Sequence, residues 1–195
     1  MGRVIGIDFF SGCGGTSLGL KKAGIEVVRG IDIDSSCREV YEKNIRGADF
    51  LCADISTLKP EEALEGIKRR KNDLLLFSAC APCQPFSAHA KPSVDDSRRS
   101  LLLKFAKFVR YHEPEFLFIE NVPGIQNVKG NSTFNKFKKI LDKLGYQVKF
   151  DIVDAKDYGV PQTRKRLLLL ASNIKGIDID LPKPTHGADL RPYRT

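Results

Sequence analysis

Short apolar runs alternate along the chain with stretches of helical periodicity, and each of the first five runs is followed by glycines or a polar side chain. This alternation is typical of a doubly wound, mostly parallel sheet, in which the carboxyl ends of the strands meet at one edge. A single strand-end aspartate is usually a helix cap, whereas five such ends together indicate a binding edge. The residues at these ends are Gly12, Gly14, Gly15, Asp32, Asp54, Cys83 and Glu120.

Hydrophobic periodicity predicts the order of the elements. We predict strands at residues 4–10, 25–33, 50–53, 74–77, 116–119, 146–153 and 167–171. We predict helices at residues 17–22, 36–44, 59–71, 99–111 and 133–144. The helix at 59–71 begins with Pro60, Glu61 and Glu62, and the first turn of a helix favours proline and acidic side chains. The pattern is lost after Asn173, so we expect one domain over residues 1–175 and an irregular tail over 176–195.

Composition limits the class of protein and leaves its partner open. The 195 residues are 42% hydrophobic and 29% charged, which supports one packed core and argues against wholesale disorder. No apolar run approaches the length of a membrane span and the N-terminus lacks the character of a signal peptide, so we expect an intracellular protein. The net charge of +8 favours a polyanionic partner, although a merely basic surface gives the same charge.

Cysteine usage indicates reduced thiols. The five cysteines are an odd number in a chain long enough to form its own core, which argues against a disulfide framework. Cys80 and Cys83 form a CxxC pair, but no second pair supplies the further ligands of a structural zinc site. We therefore expect no metal.

A Gly-rich turn, Ser11–Thr16, follows the first predicted strand and precedes the first helix. Glycines allow a ligand to approach the backbone, and bare amides at the start of a helix favour anionic groups. The spacing is not GxGxxG, so the dinucleotide fingerprint is absent and a tight structural turn remains the alternative. Asp32 lies about 20 residues further on, the usual position of a carboxylate that binds ribose hydroxyls.

A second turn places Cys83 between Pro82 and Pro85, just after the predicted strand at 74–77. Proline fixes its own φ and restricts the residue before it, so this turn is stiff. On these residues alone a reactive thiol and an inert buried one are equally compatible with the sequence.

Four separated stretches in chain order carry a resemblance to a known family. They are Asp8–Gly15, Pro82–Ser87, Glu120–Val122 and Gln162–Arg166. Together they resemble the ordered signature motifs of the DNA cytosine-5 methyltransferases, and the resemblance runs from about Val4 to His186. It implies an α/β, Rossmann-like S-adenosylmethionine-dependent methyltransferase fold, with a mostly parallel sheet and helices on both faces.

The resemblance implies transfer of a methyl group from S-adenosylmethionine to C5 of a flipped cytosine in DNA. Cys83 would attack C6 as a thiolate, which makes C5 nucleophilic. Glu120 would hydrogen-bond N3 and the exocyclic amine and supply a proton. Arg166 would hold O2, and Arg164 would support the ion-pair network and the loop. For both arginines the alternative is phosphate contact or a surface charge run.

The resemblance also implies a cofactor site. Asp32 would take the ribose hydroxyls, Ile33 would pack on the adenine, and Asp54 would accept the adenine amino group. The complete set of expected cofactor residues is Phe10, Ser11, Gly12, Gly14, Gly15, Asp32, Ile33, Asp54, Ile55, Pro82 and Leu101.

Double-stranded DNA is the implied partner. Residues 87–97 correspond to the closing loop of the family, which helps to extrude the base. The residues expected on the DNA side are Gln84, Ser87, Arg98, Arg99, Asn121 and Gln162. Within this set, we expect Asn121 to fix the turn after Glu120 more than to touch the substrate.

The sequence departs from the family in two places. The usual Pro-Pro-Cys or Phe-Pro-Cys is Ala81-Pro82-Cys83 here. Family members also continue past the Pro184–Gly187 region into a target-recognition domain and a last motif that completes the cofactor pocket. We therefore expect either one subunit of a split enzyme, with a second subunit as partner, or part of a longer one. In both cases we expect a cytoplasmic, prokaryotic protein of a restriction-modification system.

Three other functions are less compatible with the sequence than DNA cytosine-5 methylation. A tRNA cytosine-5 methyltransferase would use the same chemistry, but Phe86-Ser87 and the long polar loop after it favour DNA. A non-catalytic cofactor-binding module would be expected to lose Cys83, Glu120 or Arg166, and all three are present. An NAD-dependent oxidoreductase does not fit, because the GxGxxG fingerprint is missing.

Overall fold

A computed structural model describes residues 2–82, 100–124 and 132–193. The strands of this part of the chain are β1 (Val4–Phe9), β2 (Glu26–Asp32), β3 (Asp49–Cys52), β4 (Leu74–Ala79), β5 (Phe116–Asn121), β6 (Gln147–Asp154) and β7 (Lys165–Ser172). Together these seven described strands form one sheet in the order β3-β2-β1-β4-β5-β7-β6.

The direction of the strands positions the site. Strands β1 to β5 pair in parallel, so their carboxyl ends lie at one edge. Strand β7 is antiparallel to both β5 and β6. The mostly parallel sheet predicted from the sequence is therefore confirmed. Because β7 is reversed, its first residues lie beside the last residues of β5.

The helices among the described residues are α1 (Gly15–Lys22), α2 (Arg38–Asn44), α3 (Leu101–His112) and α4 (Thr133–Lys143). The Ser132 hydroxyl caps α4 by accepting a hydrogen bond from the amide of Asn135. None of these helices is long and apolar enough to cross a membrane.

The helix predicted at residues 59–71 is wrong. Only a short 3-10 helix forms there, over Pro60–Leu64, and Glu65 ends it with an extended backbone at ψ 130°. The carboxylate of Asp73 then accepts hydrogen bonds from the amide of Arg70 and from the side chain of Arg3. This turn connects the chain to the start of β1. The acidic pattern at the start of the segment does not predict it.

One face of the sheet is covered by α3 and α4, and its buried side chains are almost all apolar. Phe9 of β1 lies at its centre, and its ring centroid is 5.0 Å from those of Phe77, Phe105 and Phe108. Phe137 of α4 extends the cluster from Phe105. Most of the buried apolar side chains of the described residues belong to this face.

The opposite face is covered by α1 and α2 and has a small core. Its buried apolar side chains are Val27, Tyr41, Ile45 and Phe50. The ring of Tyr41 packs directly on the backbone of β2, since a Cβ added to Gly30 would lie 2.3 Å from the Tyr41 Cζ. Helices therefore cover both faces, as predicted.

Beyond β7 the chain follows an irregular path. The described residues 173–193 contain no helix and no strand apart from an isolated bridge between His186 and Arg191. The amides of Thr185 and His186 donate to the carbonyl of Asp157, at 2.8 and 3.0 Å. This segment is thus held against the connection between β6 and β7.

Candidate functional site

A cavity of about 800 Å³ opens where β1 to β4 end. Its walls come from the residues after β1, the end of β2, the turn after β3, the end of β4 and the start of α3. The lining residues are Phe10, Ile31, Asp32, Ile33, Ala53, Asp54, Ile55, Ser56, Cys80, Pro82, Ser100, Leu101 and Lys104.

Seven of the eleven expected cofactor residues line this cavity. The other four, Ser11, Gly12, Gly14 and Gly15, form the turn that joins β1 to α1 beside it. Sequence reasoning missed Ile31, Ala53, Ser56, Cys80, Ser100 and Lys104. Most of these are direct neighbours of predicted residues, and Lys104 lies one helical turn after Leu101 on the same face of α3. Extending the list of predicted cofactor residues to their neighbours in the sequence and on the same helix face would have included these lining residues.

The Gly-rich turn has a strained backbone. Phe10 adopts a φ of +58°. Residues other than glycine rarely take this backbone conformation, and those that do cluster at functional sites. Gly14 has a φ of +91°, and a Cβ there would lie 2.8 Å from Ile45. The turn is therefore packed tightly on its inner side and carries an aromatic ring on its cavity side.

Asp32 links the Gly-rich turn to the end of β2. Its Oδ2 accepts a hydrogen bond of 2.8 Å from the amide of Gly12, and its Oδ1 accepts one of 3.0 Å from the amide of Asp34. Each carboxylate oxygen keeps a further lone pair, so a fixed acceptor faces the cavity. Ile33 is 68% exposed at the cavity wall, where it can support a flat apolar ring.

Asp54 forms the far end of the cavity. Its Oδ1 accepts a hydrogen bond of 2.8 Å from the amide of Ser56, which turns the chain after β3. Ile55 is buried beside it. This arrangement places an acceptor and an apolar wall together, which suits the amino-bearing edge of a heterocycle.

Cys80 lies at the cavity wall and hydrogen-bonds Thr16 across 3.2 Å. Burial, to which the carboxylates of Asp8 and Glu120 add, raises the pKa of the Cys80 thiol to about 12. Cys80 therefore stays protonated near neutral pH and is a poor nucleophile.

Two observations test whether this site fits S-adenosylmethionine. The hydroxyl of Ser11 is buried, yet it hydrogen-bonds none of the described residues. A Cβ added to Gly12 or Gly15 would meet no atom within 4 Å, so open space lies beside the turn. A buried polar group and free space next to acceptors for hydroxyl and amino groups fit a nucleoside cofactor.

A second cluster lies where β5 ends and β7 begins. The Nε atom of Arg166 is 2.6 Å from the Oε1 atom of Glu120, and both side chains are about one quarter exposed. The antiparallel pairing of β7 with β5 makes this contact possible, because it brings the start of one strand to the end of the other. The pair is open to a ligand from the sheet edge.

Asn121 ties this cluster to the turn after β4. Its side-chain amide donates to the carbonyl of Ala81 at 3.3 Å, and its Oδ1 accepts from the amide of Val122 at 2.8 Å. Asn121 is only 3% exposed. Cys83 follows Ala81 and Pro82 in the sequence, but Cys83, Gln84, Ser87, Arg98 and Arg99 lie outside the described residues.

The exposed connection before β7 contains Gln162 and Arg164. The amide of Arg164 donates to the Oδ1 atom of Asp154 at 2.9 Å, and its carbonyl accepts from the amide of Ala155. Among the described residues, no ion pair involves the Arg164 side chain. Asp154 was missed from the sequence, where it reads as an ordinary residue at the end of a strand.

Within the described residues, no group of three or more His, Cys, Asp or Glu side chains could hold a metal ion.

The fold and the cavity together define the class. A seven-stranded sheet of this order, with a nucleoside-sized cavity at its carboxyl edge, is the Rossmann-like methyltransferase fold. The family model described as C-5 cytosine-specific DNA methylase matches residues 4–185. The chain belongs to this family.

Individual relatives agree with this assignment. The chain is 38% identical over 189 residues to the Type II methylase M.HgiDII of Herpetosiphon aurantiacus, covering 97% of this chain and 51% of that protein. It is 30% identical to the Type II methyltransferase M.AquIA of a Picosynechococcus strain, covering 97% and 84%. A solved DNA modification methyltransferase encoded within an E. coli prophage aligns with a TM-score of 0.75 and 31% identity, covering 87% and 47%. The chain spans about half the length of most of these relatives.

Proposed function

We propose that this protein transfers a methyl group from S-adenosylmethionine to C5 of cytosine in double-stranded DNA, through a covalent bond between Cys83 and C6. One observation carries the proposal: the Glu120–Arg166 ion pair lies at the sheet edge next to the Ala81–Pro82 turn, which Asn121 holds. This arrangement joins an acid and a cation to the segment that leads into Cys83.

Cys83 is proposed to act as the nucleophile. Its thiolate forms a bond to C6, and the electrons of the C5–C6 double bond move towards C5 and the N3–O2 side of the ring. After C5 has taken the methyl group, a base removes the C5 proton, the C5–C6 double bond forms again and the Cys83 thiolate leaves. Its neighbour in the CxxC pair, Cys80, has a raised pKa and is assigned no chemical step. Asn121 is proposed as a positioning residue, because it fixes the carbonyl of Ala81 close to the nucleophile in the sequence.

Glu120 and Arg166 are proposed to stabilise the charge that develops on the base. Glu120 donates a proton to N3 and accepts a hydrogen bond from the exocyclic amine, and Arg166 donates to O2. The Nε atom of Arg166 and the Oε1 atom of Glu120 are 2.6 Å apart, so the guanidinium orients the carboxyl group before the base arrives. This orientation supports the roles proposed for the two residues. Arg164 is proposed to hold the connection before β7 through its backbone bonds to Asp154 and Ala155.

The cavity is proposed to hold the cofactor. Asp32 would accept the ribose hydroxyls, Ile33 would pack on the adenine, and Asp54 with Ile55 would bound its amino edge. Ser11 and the Gly12–Gly15 turn would bind the amino-acid portion, and Pro82 and Leu101 would close the wall. When bound, S-adenosylmethionine supplies an electrophilic methyl group.

The proposed partners are duplex DNA and a protein region that recognises the target sequence. Gln84, Ser87, Arg98, Arg99 and Gln162 are proposed to contact the DNA. Most of the matched relatives named above extend over about twice the length that this chain covers, which is consistent with recognition by a second subunit or by further chain. Several relatives are named Type II methylases or methyltransferases, which supports a role in restriction-modification. Such a role would place the protein in the cytoplasm of a prokaryotic cell.

Trapping of the covalent intermediate tests the proposal. Mixed-sequence duplex DNA that contains 5-fluorocytosine would be incubated with the protein and S-adenosylmethionine. Fluorine at C5 cannot leave as a proton, so the Cys83–C6 bond should persist and give a band that survives denaturing electrophoresis. Any recognition subunit that co-purifies would be included.

Matched variants sharpen this test. Cys83→Ser should abolish the adduct, whereas Cys80→Ser, in the same CxxC pair, should retain it. Glu120→Gln should slow adduct formation by roughly 10²-fold or more, because it removes the proton donor. An adduct that persists in Cys83→Ser would refute the assignment of the nucleophile. An adduct on fluorinated tRNA but not on DNA would refute the assignment of the substrate.

A further inference from the structure

Within the described part of the chain, a carboxylate is buried behind the Gly-rich turn without a cationic partner. Asp8 of β1 is 0% exposed. Its Oδ2 accepts a hydrogen bond of 2.6 Å from the Ser17 hydroxyl of α1, and its Oδ1 accepts one of 2.7 Å from the Ser78 hydroxyl of β4. Among the described residues, no ion pair involves Asp8. Buried carboxylates are usually paired with a cation, so this one needs an explanation.

The hydrogen-bond chain continues away from the cavity. Ser17 donates to Asp8, and the Ser17 oxygen lies 2.9 Å from the hydroxyl of Tyr41. Because the Ser17 proton is already used, the Tyr41 hydroxyl must donate to Ser17. The network thus stabilises a negative Asp8 with three hydroxyl groups and supplies no positive charge.

Asp8 is connected to the cavity wall from two sides. Ser78 precedes Cys80 by two residues, and Ser17 follows Thr16, which contacts the Cys80 thiol at 3.2 Å. Phe10, two residues after Asp8, lines the same cavity. The negative charge therefore lies directly behind the wall at which the reactive end of the cofactor would be held.

We propose that Asp8 is a specificity-determining residue whose buried negative charge raises the affinity of this cavity for a cationic methyl donor relative to its uncharged thioether product. The inference rests on the proposed function, since it concerns the ligand of the same cavity. S-adenosylmethionine carries a sulfonium that S-adenosylhomocysteine lacks, and the two are otherwise alike. A charge held in a low-dielectric interior acts on the first and not on the second.

The surroundings of Asp8 bring its change of charge close to neutral pH. Burial, opposed by hydrogen bonds from Ser17 and Ser78, raises the pKa of Asp8 to about 6, and the Asp32 carboxylate of β2 adds to the rise. From α2, Tyr41 faces the network with a pKa raised by burial. Cys80, after β4, has a pKa raised to about 12, so both stay neutral between pH 5 and 8. The preference should therefore weaken as the pH falls through about 6.

Calorimetric dissociation constants for both ligands test this inference. The measured quantity is the ratio of the constant for S-adenosylhomocysteine to that for S-adenosylmethionine at pH 8. Two unit charges about 10 Å apart, at an effective dielectric constant of about 20, change an affinity by roughly ten-fold. We therefore expect Asp8→Asn to lower the ratio by roughly ten-fold, and we expect wild type and variant to converge at pH 5.

Two control variants separate charge from structure. Ser78→Ala removes a hydrogen bond to Asp8 but keeps the carboxylate, so the ratio at pH 8 should stay close to that of the wild type. Asp142→Asn removes an exposed carboxylate from α4, on the opposite face of the sheet, and should leave the ratio unchanged. If Asp8→Asn weakens both ligands equally, Asp8 has only a structural role and the inference is overturned.

Proton release by the unmodified protein gives a measurement that needs no variant. At pH 6 a cation that binds near Asp8 should drive off part of its proton, whereas the thioether should not. Titration in two buffers of different ionisation enthalpy should then give more proton release for S-adenosylmethionine than for S-adenosylhomocysteine. Equal release would overturn the inference alone, and failure to bind either ligand would overturn the proposed function with it.

Discussion

The two faces of the sheet are packed in different ways. Under α3 and α4 the buried side chains are almost all apolar, and the ring of Phe9 lies among three other aromatic rings. Under α1 and α2 the apolar core is small, and Asp8 and Ser17 are buried within a hydrogen-bonded network. The first arrangement maximises burial of apolar surface, whereas the second keeps a charge out of water.

This difference separates a face that is packed for stability from a face that holds a buried carboxylate. The cavity borders both faces: the turn from β1 to α1 leads into the α1 and α2 side, whereas Ile31, Ile55 and Leu101 of the cavity wall belong to the apolar core or pack against it. A buried charge weakens packing on the α1 and α2 side, and the apolar face offsets the loss. Substitutions on each face separate the two contributions.

The largest expected effect is on the apolar face. Phe105→Ala should lower the free energy of unfolding by about 3–5 kcal/mol, because a fully buried ring with contacts to Phe9, Phe77 and Phe137 is replaced by a cavity. Urea denaturation checks this value, and it should not depend on pH. Tyr111→Ala, at an exposed position of the same helix, should change the free energy by less than about 0.5 kcal/mol.

The next effect is on the polar face and depends on pH. Burial raises the pKa of Asp8 from 3.8 in the unfolded chain to about 6 in the folded protein. A carboxyl group with a raised pKa stabilises the fold most below pH 3.8, and this contribution is lost as the pH rises through about 6. The difference corresponds to about 3 kcal/mol.

Asp8→Asn removes this dependence. The free energy of unfolding of the variant, relative to the wild type, should rise by about 3 kcal/mol between pH 4 and pH 8. Urea denaturation across this range measures it. A relative stability that is flat with pH would show that Asp8 does not titrate in this window.

A smaller effect is expected at the outer end of the same network. Tyr41→Phe removes the hydroxyl that donates to Ser17 but keeps the ring on the backbone of β2, so it should destabilise the fold by about 1 kcal/mol. The pH at which stability falls should also move upwards, because the network around Asp8 loses a donor. Thermal unfolding at pH 5 and pH 8 checks both effects. An unchanged pH dependence would mean that the Tyr41 hydroxyl is not coupled to Asp8.

The smallest effect is expected at the margin of the apolar face. The Nζ atom of Lys138 lies 4.8 Å above the ring of Phe150, which also packs against Phe134. Lys138→Ala should destabilise the fold by about 0.5 kcal/mol. Lys139→Ala, the neighbouring exposed lysine, serves as the control and should have no measurable effect. Equal values for the two would show that the cation–π contact contributes nothing.

Most of the sheet could be predicted from the sequence, because buried strands show as apolar runs bounded by turns. Strand direction could not be predicted. Periodicity is the same for either direction, so nothing in residues 165–172 indicates that β7 runs antiparallel to β5. The predicted helix at 59–71 was wrong because the carboxylate of Asp73, just after the segment, accepts a hydrogen bond from the amide of Arg70.

The candidate site was predictable to the extent that it lies at strand ends. Asp32, Asp54 and Glu120 follow apolar runs, and a parallel sheet brings them to one edge. The contacts that orient them depend on side-chain placement, which local sequence does not specify. Asp8 is an example: it belongs to a recognised motif, yet no local pattern indicates a buried carboxylate that is held by hydroxyl groups and has no cationic partner among the described residues.

The order of functional residues along the chain has a consequence for genetic exchange. Among the described residues, those that line the cavity run from Phe10 to Lys104, whereas Glu120 and Arg166 come later. A recombination crossover in the turn between α3 and β5 would therefore take these cavity residues from one parent and the Glu120–Arg166 ion pair from the other. The β4–β5 pairing and the Asn121–Ala81 hydrogen bond both cross that junction, so a hybrid would have to keep these contacts compatible.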